Sequence, residues 1–99
     1  KMYPVVEENS LVGCVTTRQL REIPKDQWPT KTVGEIATAC SGENTIAPET
    51  DVVKVLSLMN RTRNSRLMVV EGSKLIGLIA LKDILDFLSI KLDLDKYED

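Results

Sequence analysis

The feature that most constrains this chain is a repeat. PVVEENSLVGCVTTRQL, residues 4–20, lies without a gap over MVVEGSKLIGLIALKDI, residues 68–84. Val5, Val6, Glu7, Leu11 and Gly13 meet identical residues, and Val12, Val15, Arg18 and Leu20 meet close relatives. A gapless match of this quality marks one supersecondary unit used twice. In each copy two apolar runs flank a polar turn, and the second run holds a glycine and ends abruptly in charge. That pattern predicts a strand, a turn, a strand and then a helix. The question it raises is why a buried strand gives up a side chain at Gly13 and again at Gly77.

Tyr3–Val6 and Leu11–Thr16 are expected to form an antiparallel hairpin around Glu7–Ser10, followed by a short helix, Thr17–Ile23, that Pro24 ends. PKDQWPTKT, residues 24–32, carries two prolines and several charges and reads as a connector. Its Trp28 either plugs a gap between the repeats or stacks on a ligand base, and the plug is the simpler reading. Val33–Ala39 reads as a short helix broken near Ser41 and Gly42, and Asn44–Ala47 as a brief strand. Val52–Thr62 is helical by period, with Val52, Val55, Leu56 and Met59 on one face. Arg66–Glu71 and Leu75–Ala80 repeat the hairpin around Glu71–Lys74. The helix Leu81–Leu92 is expected to turn Ile84, Leu85, Leu88 and Leu92 inward, and the acidic tail DLDKYED to fray.

The second unit therefore reads strand, helix, strand, strand, helix, and the first only strand, strand, helix. Residues 1–30 would be the latter part of a first repeat with its linker, and residues 31–99 a complete second repeat. The opening strand and helix of the first are expected ahead of Lys1.

Composition narrows the chemistry. Hydrophobic residues make up 42% and aromatic ones 4%, so the core is aliphatic and favours α/β packing. A formal net charge of −2 argues against a nucleic-acid polymer as partner, which demands clustered positive charge. No apolar run approaches the roughly 20 residues that cross a bilayer, so direct membrane insertion of these residues is not expected. Histidine is absent, which removes the commonest general base and metal ligand. Cys14 and Cys40 form no CxxC pair, and structural thiols are the simpler reading. No nucleophile–base pair, metal cluster or P-loop is apparent, so a stand-alone enzyme is not expected.

Binding chemistry is expected where each strand meets its helix, Gly13-Cys-Val-Thr16-Thr-Arg-Gln19 and Gly77-Leu-Ile-Ala80-Leu-Lys-Asp83. A helix start presents unpaired N–H groups to an anion, a glycine permits close approach of backbone or ligand, and a carboxylate can accept from ribose hydroxyls. The purely structural alternative is a capping box, Thr16 with Gln19, which satisfies the same N–H groups without a ligand. In the second copy Ala80 is a poor cap, and Asp83 favours the first turn through the helix dipole. NRTRNSR likewise reads in two ways, as a phosphate clamp of Arg61, Arg63 and Arg66 or as cations at a helix C-terminus. The second reading is favoured because the side chains should diverge.

A strand–helix–strand–strand–helix repeat, in tandem, with G-h-h-[S/T]-x-x-[D/N] at the strand–helix junction, resembles the CBS domain, named after cystathionine β-synthase. The resemblance covers residues 2–23 and 33–92. It implies an α/β (α+β) fold of tandem repeats, each a small mixed sheet of about three strands packed against two helices. It also implies clefts that bind AMP, ATP or S-adenosylmethionine, with the motif's acid on ribose, in a module that controls an attached enzyme or transporter. Each copy departs from the motif at one place. The first has Thr16 but Gln19 for the acid; the second has Asp83 but Ala80 for the hydroxyl. Pro4 matches the family's strand-start proline, where the second copy has Met68. Of the two sites the second is favoured, lined by Ile46, Ala47, Met68 and Asp83. The alternative the family allows is a ligand-free association module, a homodimer through its repeats docked on the catalytic or membrane domain of a parent chain. WPTKTVGEIA resembles linkers in CBS pairs of site-2-type membrane zinc proteases, which implies a place on the cytoplasmic side of a membrane enzyme.

Overall fold

The two copies fold into the same hairpin, down to its irregularity. The structure, a computed structural model, describes residues 1–95. Strands β1 (Met2–Glu7) and β2 (Ser10–Thr16) pair antiparallel, as do β5 (Arg66–Glu71) and β6 (Lys74–Ala80). Val5 faces Gly13 and Val69 faces Gly77, and each ladder slips by one residue immediately afterwards, between Val5 and Val6 and between Val69 and Val70. A shared β-bulge at matched positions is a feature of the unit, not an accident of one copy. In the first turn Glu8 and Asn9 both take positive φ, as a two-residue type I′ hairpin requires.

Helix α1 (Thr17–Arg21) follows β2, and α4 (Leu81–Asp95) follows β6. Thr17 N donates to the Lys1 carbonyl, and Leu81 N donates to the Ser65 carbonyl at the matched place. Between the hairpins run a 3-10 helix over Lys25–Thr30, then α2 (Val33–Ile36), β3 (Thr38–Ala39), β4 (Thr45–Ile46) and α3 (Val52–Thr62). They build two three-stranded sheets, β1-β2-β3 and β4-β5-β6, the second mixed because β4 runs parallel to β5. These are tandem α/β repeats, small mixed or antiparallel sheets packed on helices, the architecture that the resemblance implies.

Val33–Ala39 is not one helix. Thr32 caps α2 by accepting from Glu35 N, and the helix stops at Ile36; Ala37 is extended. Thr38 and Ala39 then pair with Cys14 and Gly13 across the free edge of β2. β-branched Thr38 gains a ladder there, and Gln19 Nε2 donates to both the Ile36 carbonyl and Thr38 Oγ1. This explains Gly13: a Cβ there would overlap the Thr38 carbonyl oxygen. At Gly77 a Cβ would meet nothing within 4 Å. The two glycines share a position but not a neighbour.

The core lies in two clusters. Val55 and Met59 of α3 pack on Leu67 and Ile84, with Ile46, Leu56, Ile79 and Leu81 around them. Leu11, Cys14 and Met68 pack between the sheets with Met2, Val70 and Leu75. Asn44 ties the sheets together from a buried position. Its Oδ1 accepts from Ser41 N, its Nδ2 donates to the Ala39 carbonyl, and its own carbonyl accepts from Met68 N. Pro4, the counterpart of Met68, lacks that N–H and lies on the outer strand β1, where the loss costs no ladder bond.

Four inward assignments fail. Val52 is exposed because α3 rests on the sheet through Val55 and Met59. On α4 Ile84 is buried but Leu85, Leu88 and Leu92 are exposed, since the small second sheet reaches the helix only near Leu81 and Ile84. The helix also runs on to Asp95 instead of fraying at Asp93, while the rest of the expected tail lies outside the described residues. Trp28 is no plug. It is half-exposed, with its indole N–H donating to the Ile23 carbonyl at the end of its own linker.

Candidate functional site

The strand–helix junctions land where the repeat puts them, but their side chains divide. Thr16 caps α1: its Oγ1 accepts from Gln19 N while Gln19 Oε1 accepts from Thr16 N. With Nε2 engaged by α2 and β3, Gln19 is wholly occupied in holding the first sheet together. The capping box is formed at Thr16, and the same residue lines a surface cleft. Ala80 is half-buried opposite Arg66 in the ladder, and Asp83 is exposed in the first turn of α4. Ile46 and Ala47 are half-buried at β4. Ile46 lines a cleft of about 280 Å³ with Thr50, Lys54 and Arg61. Met68 is 0% exposed, so its side chain belongs to the core and not to a cleft wall.

The concave surface that gathers most polar chemistry lies between the repeats, at the loop from α3 to β5. One chamber, about 270 Å³, is lined by Lys1, Thr16, Thr17, Arg18, Arg63, Asn64, Ser65 and Arg66, with Met2 at its floor. Its walls hold four cations and three hydroxyls, and no carboxylate among the described residues. The adjoining chamber, about 460 Å³, shares Arg63, Asn64 and Ser65 and adds Leu56, Met59 and Leu81 with the amide of Asn60. A cationic compartment thus opens beside an apolar one edged by amides.

Local sequence explains the loop. α3 ends in a left-handed residue, and that residue is Arg63, at φ 60°. Glycine usually fills such a position, because a Cβ there crowds the backbone at a cost of roughly 1–2 kcal/mol. Asn64 then locks the turn, its Nδ2 donating to the Glu43 carbonyl and its N–H to Thr62 Oγ1. Arg63 and Arg66 converge on the cationic chamber while Arg61 points to the cleft beside Ile46. The spacing of NRTRNSR predicts diverging side chains, and of the three only Arg61 departs. The left-handed turn at Arg63 leaves Arg63 and Arg66 in the lining of one chamber.

Burial pushes the Cys14 thiol above its usual pKa, and nearby Cys40 adds to this against the Asn44 hydrogen bond. Cys14 therefore stays a protonated, core-filling thiol at neutral pH, and Cys40 is exposed. Among the described residues no group of three or more His, Cys, Asp or Glu gathers to hold a metal. No helix among them is long and apolar enough to cross a membrane.

Comparison with known proteins decides the family. The CBS domain model matches residues 33–90, which is more than half the chain. The chain belongs to the CBS domain family. A zinc metalloprotease of Mycobacterium tuberculosis, Rip3, is 32% identical over 84 residues, 83% of this chain and 21% of that protein. The chain thus spans about a fifth of the length of the metalloprotease relatives it matches. Among solved structures, the acetoin utilization protein AcuB of Vibrio cholerae superposes with a TM-score of 0.79 at 21% identity, over 99% of this chain and 73% of AcuB. The cytosolic domain of the Mg2+ channel MgtE, solved in complex with ATP, superposes at 0.72 with 28% identity, over 87% of this chain and 33% of that one.

Proposed function

We propose that this CBS module is a regulatory sensor of an adenosine phosphate, read out by a domain attached to it. The observation that carries the reading is the two-chamber cleft. Four cations and three hydroxyls, with no carboxylate among the described residues, form a seat for phosphate oxygens inside a chain of net charge −2. The apolar chamber next to it, with Asn60 and Asn64 at its edge, suits a purine face and its hydrogen-bonding edge. AMP and ATP match both compartments; S-adenosylmethionine offers the same base with a carboxylate for the arginines. The ATP found in the MgtE cytosolic domain supports the ligand class. Arg63 supports it from the backbone side, since strain held at a left-handed arginine is better explained by use of its side chain than by folding. Thr16 is the family-motif residue at this cleft, while at the other junction Leu81, between Ala80 and Asp83, lines the apolar chamber. Ligand held between the repeats would favour one packing of them over another, and so bias the attached domain.

The likeness to the zinc metalloprotease relatives supports a zinc metalloprotease as parent, and the resemblance of WPTKTVGEIA to linkers in membrane proteases of the site-2 type supports a place on the cytoplasmic side of a membrane. Thermal unfolding tests the ligand reading. AMP or ATP at millimolar concentration should raise Tm through binding to the native state, adenosine should raise it less, and Arg63→Ala with Arg66→Ala should remove the rise. No rise with any of them, or an equal rise with adenosine, contradicts the reading.

One observation favours a second role, association. α4 leaves Leu85, Leu88 and Leu92 on one stripe and Phe87, Ile90 and Leu94 on another, all exposed. Apolar surface of that extent is typical of an interface, and a homodimer through α4 would cover it. Sedimentation should then show a concentration-dependent dimer that Leu88→Glu disperses; a dimer unmoved by that change contradicts the role.

A further inference from the structure

The cationic chamber offers a divalent ion nothing to hold. Mg2+ demands near-octahedral oxygen coordination, and sites that take it together with phosphates supply one or two carboxylates for it. None lines this chamber, and Asp83 lines neither chamber. Among the described residues no group of three or more His, Cys, Asp or Glu gathers at all. A hydroxyl can serve as one ligand, as in the P-loop, but there an acid completes the set. Here Thr16 Oγ1 is already spent, accepting from Gln19 N and donating to Gln19 Oε1 at 3.2 Å. Thr17 and Ser65 remain, each followed in the chain by an arginine of the same wall, Arg18 and Arg66. Arg18 meets Glu22 at 3.8 Å, but both side chains are exposed, so water screens the pair and a phosphate can displace it.

We propose that the cleft selects the magnesium-free form of its nucleotide, so that Mg2+ antagonises ATP and leaves AMP almost untouched. The inference rests on the adenosine-phosphate reading above and specifies the ionic form of the ligand. Uncomplexed ATP brings about four negative charges to the cationic wall, each phosphate oxygen free to accept a charge-assisted hydrogen bond. The magnesium complex brings about half that charge, because the dication offsets the rest. Its β- and γ-phosphate oxygens are bridged by the metal, and the hydrated ion is set against Arg63 and Arg66 with no acid to shield it. AMP has one phosphate and cannot chelate the ion, so the same species meets the wall with or without magnesium. Where magnesium is abundant the attached domain would therefore respond to AMP, and to ATP only as magnesium falls.

Isothermal titration of the 99-residue chain with AMP and with ATP tests this, each in EDTA and in excess MgCl2 at one ionic strength. The apparent ATP affinity should fall at least roughly tenfold with MgCl2, and the AMP affinity by less than about twofold. ATP bound as well or better with Mg2+ overturns the proposal and leaves the nucleotide reading standing. Equal losses for AMP and ATP also overturn it, since the ion would then act on the protein and not on the ligand. If neither nucleotide binds in EDTA, the nucleotide reading itself is wrong and the proposal goes with it. Amide NMR supplies a second readout with no nucleotide present. MgCl2 alone, against NaCl of equal ionic strength, should leave Thr17, Ser65 and Arg66 unmoved. Saturable shifts at those residues would reveal a magnesium site in the chamber and contradict the proposal.

Discussion

The two hairpins share a ladder, a bulge and a glycine, yet the sheets they head are furnished differently. Sheet β4-β5-β6 has α3 across one face, and β6 has an open edge; sheet β1-β2-β3 has its edge closed by β3 and one face open as a groove. The sequence of the unit thus sets its backbone, while its neighbours decide which residues become core. Leu67 and Tyr3 occupy one position in the unit and have opposite environments. Burial belongs to the assembly of repeats, and local pattern reports it only where the partner element is present.

The sharpest way to break this comparison is at its matched core position. Leu67→Ala should cost about 2–5 kcal/mol, as deletion of a fully buried side chain does, and Tyr3→Ala should stay within about 0.5 kcal/mol because the ring is half-exposed. Equal losses in urea denaturation would mean that the two faces are covered alike. Next comes the glycine pair. Gly13→Ala drives a methyl into the Thr38 carbonyl and should cost about 1–3 kcal/mol, whereas Gly77→Ala should be neutral or slightly stabilising. The caps follow. Thr16→Ala should cost about 0.5–2 kcal/mol, and Ala80→Thr should recover part of that amount in the second copy. Smallest is Arg63→Gly, which relieves the left-handed strain and should stabilise by up to about 1 kcal/mol while weakening AMP binding. A variant that gains stability and keeps its affinity would remove Arg63 from the site.

Much of this was legible in the chain. The repeat identified both hairpins and both junctions, and the 3.6-residue period placed α3 over its observed span, since its inward face has a sheet to rest on. α4 was misjudged for the same reason in reverse: its leucines follow the period, but the sheet is too small to cover them. Residues 37–39 were misread because helical period cannot report that a free strand edge lies within reach. At the site, Thr16 and Gln19 were found through their spacing, but Gln19 spends its amide on Ile36 and Thr38 instead of on a ligand. Arg63 and Arg66 carried a basic signal in the sequence, and only the turn between them shows that they meet.

Amide NMR of the 99-residue chain titrated with AMP tests the two-chamber cleft most directly. Saturable shifts should appear at Thr16, Thr17, Asn64 and Arg66, extend to Asn60 and Leu81, and vanish when Arg63 and Arg66 are both alanine. Shifts confined to the separate cleft around Ile46 and Thr50, or none at all, would contradict it.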